Sequence, residues 1–389
     1  MKRISEFFCK GLYTPTKYLE NARVCINKGL ISEITGDSEP NSKGLDASHL
    51  FAAPGFIDVH IQGCGGADFL DATKEAVQTI RMAALQGGCT SLLATTTFEK
   101  GPEGIDHLKR ITRAIKESSE NPDGAKILGI HLEGPFLNIE KKGGFGEKYF
   151  RKPSMEDFGE ILSIVGDVLK MITIAPELPG ALEVIKEAVK RGIVVSLGHT
   201  TADCDLANQA FSLGANHITH VFNAMNGLHH REPGMLGAAL MQKDVFVQLI
   251  PDGVHIHPVM MKLLYKLKGP ERICLISDAT APCGLPEGTE IRGVGGIIKK
   301  QGGAVRLPNG TLAGSALLMD EAARRMRSLT RVPLEKTLEM ASITPAKALG
   351  LQHKTGSLEP GKTADFLLFD DNLELHYAIV GGNCLDRTE

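Results

Sequence analysis

Three polar residues of this 389-residue chain form a set that can do chemistry together: Glu133, His199 and His220. Each ends a short apolar run. Glu133 closes Ile130-His131-Leu132-Glu133, His199 closes Ser196-Leu197-Gly198-His199, and His220 closes His217-Ile218-Thr219-His220. A carboxylate and two imidazoles, with water in the fourth position, make a common catalytic zinc site. No local spacing motif joins the three, so only the closure of a larger fold can bring them together. A single His at a strand end is more often a hydrogen-bonded structural residue, and Glu133 alone reads as a buried ion-pair partner. Their joint occurrence at strand ends carries the metal reading. Such a donor set binds several divalent ions, zinc first among them.

Asp278 follows another apolar run, Arg272-Ile273-Cys274-Leu275-Ile276-Ser277. A carboxylate beside a zinc-activated water can take its proton and later protonate a leaving amine. The competing reading is a helix N-cap. The Pro282-Cys283-Gly284 stretch points to a loop instead and favours proton transfer. His60 and Gln62 end a further run, and positions i and i+2 of a strand face the same way. Gln is a poor zinc ligand beside His or a thiolate. The pattern predicts one tightly bound metal per subunit, with any second metal weak or absent. His60 and Gln62 read equally well as contacts to substrate or water.

The elements that must position these residues are legible as a repeat. Apolar runs recur around Phe56 to Val59, Ser91 to Ala94, Ile127 to Ile130, Met171 to Ile174, Ile193 to Ser196, His217 to Val221, Val245 to Ile250 and Ile273 to Ile276. Amphipathic or Ala-rich stretches follow most of them, as at Thr73 to Gln86, Gly180 to Arg191 and Pro258 to Lys268. A spacing on the order of 30 residues fits a βα unit. Eight such units close a parallel barrel of about 250 residues, with its chemistry at the C-terminal strand ends. Glu177 and Asp252 also end such runs. The barrel is expected over residues 54–344. Short strand-like runs separated by turn residues fill 1–53 and 345–389, which predicts a small β-sandwich built from both chain ends. The fold class is therefore α/β, a TIM-like (β/α)8 barrel with a satellite β-sandwich.

Composition narrows the partners. The net charge is −3, and no run of five or more like charges occurs, which argues against nucleic acid or an anionic membrane as the main partner. The eight cysteines form no CxxC pair and read as scattered reduced thiols of a cytosolic protein. The opening MKRISEFFCKGLY is too short in its apolar part for a signal peptide, and no later segment is long enough to span a bilayer. A cytoplasmic location is expected.

The motif series PGFIDVHIQGCGG, HLEGPF, SLGHT, THVFNAMNGLHHREPG, DGVHIHP, SDAT and LAGSALLMD, closing with ASITPAKALGL and GSLEPGKTADFLLFD, resembles the N-acetylglucosamine-6-phosphate deacetylase family of the amidohydrolase superfamily. The likeness runs in order along nearly the whole chain. It implies removal of acetate from an N-acetylated hexosamine 6-phosphate in amino-sugar catabolism. It implies zinc on Glu133, His199 and His220, with Asp278 as general base and acid. It implies that Asn223 and Ala224 lie near the sugar and that His255 contacts substrate. Arg231 resembles a residue that reaches the phosphate bound in the neighbouring subunit, which implies a homodimer. The chain departs from the pattern at Phe145, where many relatives read Lys-Gly-Ala-His with a His that helps polarise the acetyl carbonyl. Either zinc alone polarises the carbonyl, or His60 or Gln62 substitutes, or the acyl preference differs.

Other readings are a deacetylase of the galactosamine epimer, another amidohydrolase, and a non-enzymatic barrel scaffold. Two-metal relatives commonly carry a carbamylated Lys at the fourth strand end, where this chain reads Ile174-Ala175-Pro176-Glu177. A scaffold is expected to have lost its ligands, and all of them are present here.

Overall fold

The computed structural model describes residues 1–14, 17–40 and 43–387. The eight apolar runs form strands Phe56–Ile61, Cys89–Thr96, Lys126–Glu133, Leu169–Ile174, Val194–Leu197, His217–Ile218, Phe246–Leu249 and Ile273–Leu275. Each pairs with the next along the chain in one eight-stranded sheet, parallel throughout. Both faces of these strands are covered, so they read as continuous apolar runs rather than as alternation; every residue of Cys89–Thr96 is buried. Helices Lys74–Gln86, Ala181–Lys190 and Pro258–Lys268 follow where periodicity predicts them. The first starts where the Thr73 hydroxyl accepts the Ala76 N–H, one of the donors a helix start otherwise leaves unpaired.

The sheet closes on itself at the seam between its first and eighth strands. Asp278 N–H donates to the His60 carbonyl and Gln62 N–H to the Ala279 carbonyl, both at 2.9 Å. Asp58 is fully buried beside them. It accepts from the Ser277 hydroxyl at 2.5 Å, the His60 N–H at 3.1 Å and the Ser277 N–H at 3.3 Å. Burial pushes its carboxyl up to about 6 even though these donors favour the charged form. Inside the barrel a polar layer underlies the mouth. The His131 Nε2 lies 2.8 Å from the Thr173 hydroxyl, which lies 2.8 Å from that of Thr219. The His131 Nδ1 donates to the Val59 carbonyl at 3.1 Å, and burial keeps this imidazole uncharged.

The chain ends meet in a second eight-stranded sheet. Its join is Leu45–Pro54 running antiparallel to Phe366–Phe369. Phe7 and Phe366 meet edge-on with ring centres 4.9 Å apart. Backbone bonds between Ile31 and residues 361–362 draw the Leu30–Thr35 edge towards the C-terminal strands. The sheet thereby curls around a core of its own.

One element is absent from the sequence reading, which took the middle of the chain as continuous α/β. Between the eighth barrel strand and helix Met319–Thr330 lies a four-stranded antiparallel sheet: Glu290–Gly293, Gly296–Gln301, Ala304–Arg306 and Leu312–Ser315. Its turn signals are present in Gly302-Gly303, both at positive φ, and in Asn309-Gly310. Ser315 N–H donates to the Asp278 carbonyl at 2.7 Å, which anchors this sheet over the barrel mouth. Among the described residues, no helix is long and apolar enough to cross a membrane.

Asp58→Ala removes three acceptor contacts from buried donors at the seam. The expected loss is about 3 kcal/mol of stability, read as a lower denaturant midpoint with an unchanged slope. An unchanged midpoint would show that the seam does not depend on this carboxylate.

Candidate active site

Glu133 ends the third strand, and the chain bends sharply just past the fifth and sixth to present His199 and His220. Those bends place His199 at φ 48° and His220 at φ 25°, and Asp278 sits at φ 48° beyond the eighth strand. Left-handed backbone at a non-glycine residue costs about 1–3 kcal/mol, and it clusters where function over-determines it. The Glu133 Oε1 lies 3.2 Å from the His199 Nε2 and 3.1 Å from the His220 Nε2, and the two Nε2 atoms are 3.1 Å apart. All three side chains are buried.

The tautomer of His199 follows from its other nitrogen. Nδ1 lies 2.6 Å from the Lys141 carbonyl, which can only accept, so Nδ1 carries the proton and Nε2 the lone pair. A lone-pair nitrogen, a second imidazole nitrogen and a carboxylate oxygen converge to within 3.2 Å of one another. This donor chemistry fits a divalent cation, and Glu133, His199 and His220 are the metal-capable group among the described residues.

The electrostatics are tightly linked. Burial alone would raise the Glu133 carboxyl, but the charge of His60 and close contacts with three imidazoles hold it well below the usual range. Burial works against a charged His60. The adjacent Glu133 and Asp278 carboxylates prevail and lift its imidazole to about 10. The His60 Nδ1 donates to the Gln248 amide oxygen at 2.9 Å, while Nε2 lies 3.2 Å from Glu133 and 3.4 Å from Asp278. Gln62 donates to the Glu133 Oε2 at 3.1 Å. Burial raises the Asp278 carboxyl, and its Oδ1 is buried without a hydrogen-bond partner.

A cavity of about 440 Å³ opens above these groups. Gln62, Asn223, Ala224, His255 and Asp278 line it, as does Phe145, whose ring stands edge-on to His199 at 5.2 Å. His255 is held by a 2.6 Å contact from Nδ1 to the buried Asp252 carboxylate. The structure thus brings together every site residue read from the sequence except Arg231. That residue is exposed, outside the cavity lining, with its guanidinium 3.0 Å from His230.

Two features escaped the sequence reading, and a third, Glu177, was singled out there only as a strand end. Leu312, Ala313 and Gly314 of the inserted sheet line the cavity, and Arg306 from the same sheet is the one Arg or Lys among the described lining residues. Asp68 also lines it, and burial pushes this carboxyl up to about 7. Glu177 accepts from the Thr200 hydroxyl at 2.5 Å, the Thr201 N–H at 2.6 Å and the Asn138 amide at 2.8 Å. It therefore ties the turn that carries His199 to the loop that orients its ring. Its place at a strand end was the available signal.

Glu177→Ala should lower divalent-metal affinity by about 10–100-fold, the usual effect of losing an outer partner that orients a ligand. Isothermal titration of metal-free protein reads this directly, and an affinity equal to wild type would remove Glu177 from the account.

Comparison with known proteins agrees with this geometry. Residues 51–385 match the family model described as the amidohydrolase family. The chain is 36% identical over 378 residues to the N-acetylglucosamine-6-phosphate deacetylase of Bacillus subtilis (strain 168), covering 96% of this chain and 95% of that one. It is 35% identical to the N-acetylgalactosamine-6-phosphate deacetylase of Escherichia coli O157:H7, covering 96% and 97%. Among solved structures, the N-acetylglucosamine-6-phosphate deacetylase of Pasteurella multocida superposes with a TM-score of 0.90 at 31% identity, covering 99% of this chain and 100% of that one. With the barrel, the buried ligand trio and a family match over most of its length, the chain belongs to the amidohydrolase family, in the deacetylase branch that these relatives represent.

Proposed function

We propose that this chain hydrolyses the acetamide of N-acetyl-D-glucosamine 6-phosphate to glucosamine 6-phosphate and acetate, a step in amino-sugar catabolism. The observation that carries this reading is the convergence of Glu133, His199 and His220 beside Asp278 at the floor of a cavity sized for a sugar phosphate. One zinc ion per subunit is the metal this trio suits best, with another divalent ion as the alternative. When bound, such an ion supplies Lewis acidity toward the amide oxygen and makes water a competent nucleophile near neutral pH.

The chain's own groups supply the rest. The Asp278 carboxylate takes the proton of the attacking water and returns it to the amide nitrogen as the C–N bond breaks. Its Oδ1 makes no hydrogen bond and lies 3.4 Å from the His60 Nε2, which leaves it available for that transfer. His60 and Gln62 hold Glu133 from the opposite side and stand near the reacting carbonyl. Asn223 and Ala224 flank the sugar. His255, with Nδ1 committed to Asp252, offers Nε2 to the substrate.

The phosphate supports a role for a second subunit. Beside the metal-binding trio, Asp278 and Asp68 put two further carboxylates on the cavity wall against Arg306, the one Arg or Lys among the described lining residues. A dianion is poorly served by that balance. Arg231 of a neighbouring copy would add a bidentate guanidinium, which supports a homodimer. The eight cysteines are free thiols, which suits a reducing cytoplasm.

The galactosamine epimer is the second reading, because identity to the Escherichia coli relative is within one per cent of that to the Bacillus subtilis one. A scaffold role is disfavoured by the intact trio and Asp278.

Zinc-loaded protein should release acetate from N-acetylglucosamine 6-phosphate faster than from its galactosamine epimer or the unphosphorylated sugar. Asp278→Asn should lose about 10²–10⁴ in kcat while keeping its metal. Failure to release acetate from any N-acetylhexosamine 6-phosphate would overturn the reading.

A further inference from the structure

A cluster of cations lies outside the active cavity, on and just past helix Met319–Thr330. Met319, Ala322, Ala323 and Met326 bury one face of that helix. Arg324, Arg327 and Arg331 are spaced i, i+3 and i+7, so they share another face. They line a groove of about 590 Å³, larger than the active cavity. No carboxylate lines it among the described residues. Val332, Pro333, Leu334 and Leu373 form an apolar wall, with the exposed Asn372 beside them.

The carboxylates of this helix are spent on other cations. Asp320 holds Arg324 at 3.2 Å and Arg387 at 3.5 Å, and Glu321 holds Arg325 at 2.6 Å. The Arg324 Nη1 also reaches the Leu373 carbonyl at 3.4 Å, which fixes it at the groove wall. Arg327 and Arg331 are exposed, and neither guanidinium makes a hydrogen bond or ion pair among the described residues. Two like charges lining one groove repel, and an anion between them removes that cost. Cations near a helix C-terminus also offset its dipole, which accounts for Arg327. It does not account for Arg331. The chain there runs at φ 63°, in the left-handed backbone where a glycine ends a helix without strain. A long cation stands where its side chain is costly.

We propose that this groove is a binding site, separate from the active cavity, for a phosphate monoester with an apolar or planar body, a nucleoside monophosphate being the plainest member of that class. The phosphate dianion takes the forks of Arg327 and Arg331, a geometry that guanidinium supplies and ammonium does not. Arg324, partly spent on Asp320, bounds the anion end of the groove. The body lies on Pro333, Leu334 and Leu373, and the Asn372 amide offers it both donors and an acceptor. The site does not depend on the deacetylase reading, since it shares no lining residue with the active cavity.

Isothermal titration of the zinc-loaded full chain with adenosine 5′-monophosphate, adenosine and inorganic phosphate tests this. Wild type should bind the monophosphate at least about 10-fold more tightly than either fragment, since hydrogen bonds to charged groups are among the stronger ones. Arg327→Ala and Arg331→Gly should each weaken monophosphate binding by at least about 10-fold. Arg327→Lys keeps the charge without the fork and should fall between wild type and Arg327→Ala. Arg331→Gly suits the left-handed backbone, so its thermal midpoint should equal or exceed that of wild type. That separates a lost ligand contact from a lost fold. No monophosphate binding by wild type at millimolar concentration overturns the inference, and so does equally tight binding of either fragment. Affinity unchanged by both Arg327→Ala and Arg331→Gly overturns it too. With a lowered thermal midpoint that result leaves the two arginines as helix-end cations only; without one, it puts the nucleotide elsewhere.

Discussion

The charge on Glu133 is the constraint around which the rest is arranged. A carboxylate only 1% exposed is costly to bury unless cations or strong donors surround it. Here its partners are His60, Gln62, His199 and His220, which arrive from three different segments of the chain. Each must be delivered to within about a hydrogen-bond length, and only a closed barrel has strand ends converging in this way. Two of these imidazoles also face each other, nitrogen to nitrogen. The assembly is thus best satisfied by a cation held among its nitrogen and oxygen atoms.

That demand spreads outward. The turns after the fifth, sixth and eighth strands hold non-glycine residues in left-handed backbone. Such strain persists only where surrounding contacts enforce it. Glu177 enforces it at Thr200 and Thr201, the Lys141 carbonyl fixes the ring of His199, and Ser315 holds the Asp278 carbonyl. Asp58 closes the seam directly beneath His60 and Asp278. The inserted four-stranded sheet then serves two ends at once. It braces the Asp278 turn and walls the sugar cavity.

The eight barrel strands are legible in the sequence because parallel strands buried on both faces produce unbroken apolar runs, each ended by a polar residue at the mouth. Glu133, His199, His220 and Asp278 stand out for the same reason. The inserted sheet does not, since its short strands are Gly- and Lys-rich and partly exposed, and they offer only turn dipeptides as a signal. Glu177 is visible as a strand-end carboxylate, but its partners come from two other turns that no local pattern links. Asp68 looks like an ordinary capping residue, because its side chain caps the following turn and nothing local marks it as part of the cavity wall. Arg231 is exposed and lies outside its own chain's cavity, so this fold gives it no contact with the site.

The central claim is that one divalent ion on Glu133, His199 and His220 drives amide hydrolysis. Stripping the protein of metal and adding zinc back in measured steps, while following acetate release from N-acetylglucosamine 6-phosphate, tests it most directly. The rate should rise in proportion to added zinc and break at one equivalent per chain. Full activity in the stripped protein, or a break at two equivalents, would contradict it.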